Sequence, residues 1–184
     1  PGAEPMSLKL LVDPETARIL GAQGVGGDGV DKRIDVIATA ITGGLTASAL
    51  AALELAYAPQ FGSAKDPVNM LGYIARNQHE GHERTVQWHE LADTMAAGAT
   101  LIDVRSPAEH ERDPIPGALL LPLDELRKRA AELPDGPLIV HCEVGLRGHT
   151  AARLLSQLGH DVRNLDGGFR TWAAGTGTGA PVPA

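Results

Sequence analysis

The stretch Pro137-Leu-Ile-Val-His-Cys-Glu-Val-Gly-Leu-Arg-Gly148 carries the only cysteine of the sequence, Cys142. Leu138, Ile139 and Val140 form a continuous apolar run of the kind a buried parallel strand needs, after which Ala151, Ala152, Leu154, Leu155 and Leu158 recur at helical spacing. Cys142 therefore falls on a tight loop between the end of a strand and the start of a helix. Unpaired backbone N–H groups and the positive end of the helix dipole both favour a thiolate there. Gly145 opens backbone conformations closed to other residues, and Arg147 is long enough to turn its guanidinium toward whatever the loop encloses. These residue types describe a nucleophile at the floor of an anion-binding cup, and inert buried cysteines rarely share a loop with a glycine and an arginine.

Glu143, Val144, Leu146 and Gly148 complete the loop. The spacing is C-x4-R, which makes a small cup; the longer C-x5-R cup of phosphotyrosine-type phosphatases would need an arginine where Gly148 stands. Glu143 would oppose a neighbouring thiolate if it turned inward, so its side chain is expected to point to solvent.

The elements that hold this loop follow from the pattern around it. Trp88–Met95 reads as a helix, Leu101–Val104 as a strand, Leu119–Pro122 as a strand, Leu123–Leu133 as a helix, Leu138–His141 as the central strand, and Val162–Leu165 as a strand before a short helix at Trp172. Strands alternating with helices predict an α/β domain over 89–174, a parallel sheet with helices on both faces and ligands at the strands' carboxyl ends. Asp103 and Arg105 lie at one such end; they are expected chiefly as structural support, holding neighbouring backbone N–H groups. His149 is expected as an exposed helix residue.

The preceding segment, 1–75, reads as a separate, incomplete α+β domain. Leu8–Val12 and Arg18–Val25 form a hairpin through Asp13-Pro14-Glu15-Thr16. Gly24-Val-Gly-Gly-Asp-Gly29 spells G-x-G-x-x-G, but it follows a hairpin strand and lacks an acidic strand end downstream, so a glycine-rich turn into a helix near Val30 is favoured over a dinucleotide site. Ile37–Ala58 contains one charge, Glu54, yet Thr42-Gly43-Gly44, Thr46 and Ser48 interrupt it and alanine dominates; two helices, one to Thr42 and one over Thr46–Leu55, fit better than a membrane span. Residues 76–88 read as a polar linker. Its histidines, with His89, lack the cysteines or carboxylates of a metal site, and no metal is expected. Residues 175–184 read as a disordered tail.

Composition narrows the function further. A net charge of −7 with no basic cluster argues against a nucleic-acid partner. A single cysteine excludes an internal disulfide and suits the cytoplasm. The chain starts Pro1-Gly-Ala without Met and reads as a piece of something longer.

Four ordered motifs now carry a resemblance: Ile102-Asp-Val-Arg-Ser-Pro-Ala-Glu109, Ile115-Pro-Gly-Ala118, the C-x-x-G-x-R loop, and Asn164-Leu-Asp-Gly-Gly-Phe169 with Thr171-Trp172. In that order they resemble a rhodanese domain. The resemblance implies a sulfurtransferase in which Cys142 carries a sulfane sulfur as a persulfide and Arg147 holds the donor's anionic group. The donor would be thiosulfate, polysulfide or a low-molecular-weight persulfide, and the acceptor a thiol. Rhodaneses usually show Gly-His before Ile-Pro-Gly-Ala, where this chain has Asp113-Pro114.

Asp13-Pro-Glu-Thr16, Asp28–Asp35, Leu55-Ala-Tyr-Ala-Pro59 and Ser63–Asn69 are in turn similar to the C-terminal interface domain of flavin-dependent pyridine nucleotide-disulfide oxidoreductases, in the coenzyme A-disulfide and persulfide reductase branch. This resemblance implies a homodimer, a place for Tyr57 near the partner subunit's coenzyme A site, and FAD, NAD(P)H and coenzyme A as cofactors of a parent protein whose nucleotide-binding domains lie outside this chain. The alternative expectation is a non-catalytic binding and dimerisation module.

Overall fold

A computed structural model describes residues 4–57, 59 and 62–178. The chain falls into two compact units that divide between Gly81 and His82.

In the first unit β1 (Met6–Val12) and β2 (Ile19–Gly26) pair antiparallel, Met6 opposite Gly26 and Val12 opposite Ile19, with a register shift at Leu11/Val12. Asp13 organises the turn: its carboxylate accepts from the amides of Thr16 at 2.7 Å and Glu15 at 3.0 Å. A two-stranded ribbon is marginal by itself, and here α1 (Val30–Thr42) packs on it through Ile37 and Ala40, together with Leu50 of α2 (Ala47–Ala51) and Val68 of α3 (Pro67–His79). The second helix is shorter than the expected Thr46–Leu55, because the Asn69 amide of α3 takes the carbonyls of Leu50 and Leu53 and turns the chain away. Gly72 lets α3 approach that turn, since a Cβ there would lie 2.3 Å from the Ala51 nitrogen.

In the second unit β3 (Thr85–Val86), β4 (Thr100–Asp103), β5 (Leu119–Leu120), β6 (Leu138–His141) and β7 (Val162–Leu165) form one sheet in the order β3-β7-β6-β4-β5, all parallel. Successive side chains of a strand face opposite ways. Leu138 and Val140 accordingly enter one core with Ile102, Leu126 of α6 (Leu123–Arg129) and Leu155 of α7 (Leu146–Gln157), while Ile139 enters the other with Leu91 of α4 (Leu91–Ala96), Leu165 and the partly buried Phe169 and Trp172 of α8 (Gly168–Thr176). The expected parallel sheet with helices on both faces is the fold observed.

Two expected boundaries move. The stretch 76–88 is not a linker, since it holds the end of α3 and all of β3. The tail does not begin at Gly175: α8 continues to Thr176, and Gly175 packs so closely on Trp88 that a Cβ would lie 2.4 Å from the indole. The rest of the expected tail, 179–184, lies outside the described residues.

Candidate active site

Cys142 sits directly after the central strand β6, buried, and Gly145 N–H donates to its Sγ at 3.2 Å. Gly145, at φ 107°, is in the left-handed region and starts α7. The loop is pinned from outside by α8. Phe169 N–H donates to the Cys142 carbonyl at 2.8 Å and Arg170 N–H to the Glu143 carbonyl at 3.1 Å. Gly168 permits this approach, as a Cβ on it would lie 2.5 Å from the Cys142 carbonyl oxygen.

Arg147, in the first turn of α7, does not stand free. Its Nη1 and Nη2 grip Glu109 of α5 (Pro107–Arg112) at 2.8 and 2.6 Å. Glu109 is also the N3 partner of Ser106 in a capping box, accepting from the Ser106 amide at 2.9 Å and hydroxyl at 2.8 Å. The guanidinium of Arg147, helped by Ser106, holds the Glu109 carboxyl well below the usual carboxylate range, and the carboxylate in turn raises Arg147. Ser106-x-x-Glu109 was readable as a helix start; its second bond, to a residue on another element, was not.

Glu143 does not point freely to solvent as expected. Its carboxylate lies 3.4 Å from Nη1 of Arg105 and 3.0 Å from Nε of Arg170, because Arg105 has donors left after binding Asp103. Asp103 and Arg105 are both fully buried. Arg105 donates Nε and Nη2 to the Asp103 carboxylate at 2.8 to 3.1 Å and Nη2 also to the Asp113 carbonyl, and it stacks over Phe169 at 4.5 Å. Burial opposes charge on Asp103, but Arg105, His141 and His110, the last with Nδ1 2.9 Å away, together outweigh it and keep the carboxyl below its ordinary range. Asp113, in the position where the resemblance expects Gly-His, thus contributes a backbone acceptor.

A second network supports the far side of the loop. His149 of α7 is half-buried, with Nδ1 2.9 Å from the buried Glu83 carboxylate, so it is not a free surface residue. Glu83 also accepts from Asn164 at 2.8 Å, and the same Asn164 amide reaches the Gly145 carbonyl at 3.3 Å. Glu83 comes from the stretch read as linker and carried no sequence signal. Val144 and Leu146 are exposed on the rim of the loop.

Tyr57 is exposed, within the first unit. The Gly24–Gly29 loop does not offer a dinucleotide cradle: the Glu4 carboxylate occupies the space beside Gly27 and accepts from the Asp28 amide at 3.2 Å. Among the described residues no cluster of three or more His, Cys, Asp or Glu side chains is placed to hold a metal, and no helix is long and apolar enough to cross a membrane.

Comparison with known proteins places both halves. Residues 87–175 match the rhodanese-like domain model and residues 1–67 the dimerisation domain model of pyridine nucleotide-disulphide oxidoreductases. The structure of reduced Bacillus anthracis CoADR-RHD superposes with a TM-score of 0.90 at 49% identity, over 92% of this chain and 31% of that one. The chain joins a pyridine nucleotide-disulphide oxidoreductase dimerisation domain to a rhodanese-like domain. An NAD-dependent persulfide reductase from A. fulgidus is similar over 91% of this chain and 30% of that one, at 40% identity and a TM-score of 0.81. Among curated relatives, a coenzyme A disulfide reductase of Staphylococcus aureus is 45% identical over 76 residues, 41% of this chain. The chain spans 17% of the length of that reductase and under a third of the two solved structures. In this rhodanese domain the loop from Cys142 to Gly148 occupies the carboxyl edge of the sheet, where an α/β domain presents its ligand site.

Proposed function

We propose that the rhodanese domain is a sulfurtransferase module that forms a persulfide on Cys142 and serves a flavin-dependent reductase of coenzyme A disulfide, coenzyme A persulfide or polysulfide. The observation that supports this most is the loop itself, which sets the lone cysteine at the mouth of a helix with a backbone donor 3.2 Å from its sulfur and Arg147 one turn away. The Cys142 thiolate attacks the outer sulfur of the donor, an S–S bond forms at Cys142, the donor's S–S bond breaks, and the leaving thiolate departs with the electron pair. A thiol acceptor then removes the outer sulfur and regenerates Cys142.

FAD, NAD(P)H and coenzyme A belong in this reading to the reductase part of the protein, and no step is assigned to them on residues of this chain. Homodimerisation through the first unit is part of the same reading. Its support is the matched dimerisation domain and the apolar Leu20 and Val25 left exposed on the hairpin. Tyr57, exposed on that unit, is the residue proposed to reach the partner subunit's substrate; the setting proposed is the reducing cytoplasm.

Turnover tests the reading. With an organic persulfide as donor and cyanide as acceptor, the chain should release thiocyanate catalytically and Cys142→Ser should release none above background. Equal rates from both would contradict it and favour a binding module.

A further inference from the structure

We propose that Glu109 decides which sulfur donors the Cys142 loop accepts: by holding Arg147 in a two-pronged ion pair it closes the anion cup to small inorganic oxyanions and leaves it open to organic persulfides. The inference rests on the sulfurtransferase reading above.

Arg147 is the loop's own cation, and both of its terminal nitrogens are engaged by the two oxygens of Glu109, at 2.8 and 2.6 Å. Fork-to-fork pairs of this kind are among the strongest charge-assisted hydrogen bonds. The carboxylate is fixed from its other side by the Ser106 amide and hydroxyl, so it is held in place by α5 and does not drift as a loose surface group. The other guanidiniums near the loop are spent as well: Arg105 on Asp103 and Glu143, and Arg170 on Glu143. Arg147 thus meets Glu109, Arg105 meets Asp103 and Glu143, and Arg170 meets Glu143, so each of these three guanidiniums has a carboxylate at hand.

Thiosulfate enters such a site as a dianion and leaves behind sulfite, again a dianion, when its sulfur–sulfur bond breaks and the new bond to Cys142 forms. To gain a cation it must displace a bidentate carboxylate that stays within reach and repels it. An organic persulfide makes no such demand. Its reacting end carries at most one charge, on the sulfur pair, and releases a thiolate or thiol; any carboxylates or phosphates lie further along the molecule. Its carbon chain meets Val144 and Leu146, which are 57% and 64% exposed on the loop rim and otherwise solvated.

The test uses the full chain with Glu109→Gln, which keeps an acceptor for Ser106 and removes the charge. Cys142 is the only cysteine, so sulfur loading is read directly from intact mass. The ratio of loading from thiosulfate to loading from glutathione persulfide should rise about tenfold in the variant, the effect of freeing one partly exposed cation. The gain should appear as a lower KM for thiosulfate. An unchanged ratio in a variant that still loads from the persulfide would overturn the role of Glu109; failure of the wild type to load from either donor would instead sink the sulfurtransferase reading. The wild type decides independently of whether the variant folds: sulfate should leave the rate of Cys142 alkylation by iodoacetamide unchanged, and protection at concentrations on the order of millimolar would contradict a closed cup.

Discussion

Arg105 is buried without exposure at the carboxyl edge of the sheet, and its neighbours explain how the site tolerates it. A lone buried cation would be prohibitively costly; here Asp103, the Asp113 carbonyl, Glu143 and the face of Phe169 surround it. His141, the residue before the cysteine, is buried in the same cluster. Its Nε2 has no hydrogen-bond partner and lies 3.6 Å from the Asp103 carboxylate, and burial pushes its pKa down from 6.5 to about 4. The sign of the consequence is fixed. Between pH 6.5 and 4 the unfolded chain takes up a proton that the folded chain refuses, so the stability that neutral His141 permits is complete above 6.5 and is lost as pH falls through that window. The loss is about 3 kcal/mol over the window if one group of this shift acts alone. Denaturant unfolding of wild type and His141→Gln at pH 7 and 4.5 checks this: the variant should lose distinctly less stability on acidification. An equal loss would assign the pH dependence elsewhere. Asp103 and Glu109, both held low, surrender their contributions at still lower pH.

The active-site loop is a product of three elements. β6 ends at it, α7 begins from it, and the start of α8 clamps it through two backbone hydrogen bonds made possible by Gly168, at φ 62° and without room for a side chain. Gly168→Ala should therefore strain the backbone and push the loop from its place. A loss of about 1–3 kcal/mol in stability is expected, with slower sulfur loading of Cys142; loading at the wild-type rate would show that the clamp does not set the loop's geometry. Much of this was legible in the residues. The apolar runs of β4 and β6 and the helical spacing after Cys142 carry their own period, because these strands are buried on both faces and the helix on one. β3, two residues in polar surroundings, has no period to read. No helix was expected over α3, although Asp66-Pro67, an N-cap followed by proline in the first turn, marks its start. The pairings Arg147–Glu109 and His149–Glu83 join residues far apart in sequence, 38 positions in the first case and 66 in the second, and no local signal encodes them.

At the scale of the molecule, the division between Gly81 and His82 bears on how the rhodanese domain is to be cut. Glu83, β3 and the Arg84 contact to the Val162 carbonyl all lie upstream of residue 89, where the sequence pattern alone starts the domain. A fragment beginning at His82 should be more stable than one beginning at His89 by about 2 kcal/mol or more, since the shorter one leaves Asn164 without the Glu83 carboxylate and exposes an edge of the sheet. Matching melting temperatures would show that the segment adds nothing. On the function proposed above, tethering this domain to a dimerisation unit would raise the local concentration of the persulfide at the reductase part of the protein. Everything in that account depends on sulfur residing on Cys142. The most direct measurement is intact mass of the chain after incubation with glutathione persulfide, beside Cys142→Ser. The account predicts a gain of one sulfur atom in the wild type, removed by cyanide and absent from the variant; no gain in the wild type, or an equal gain in both, would contradict it.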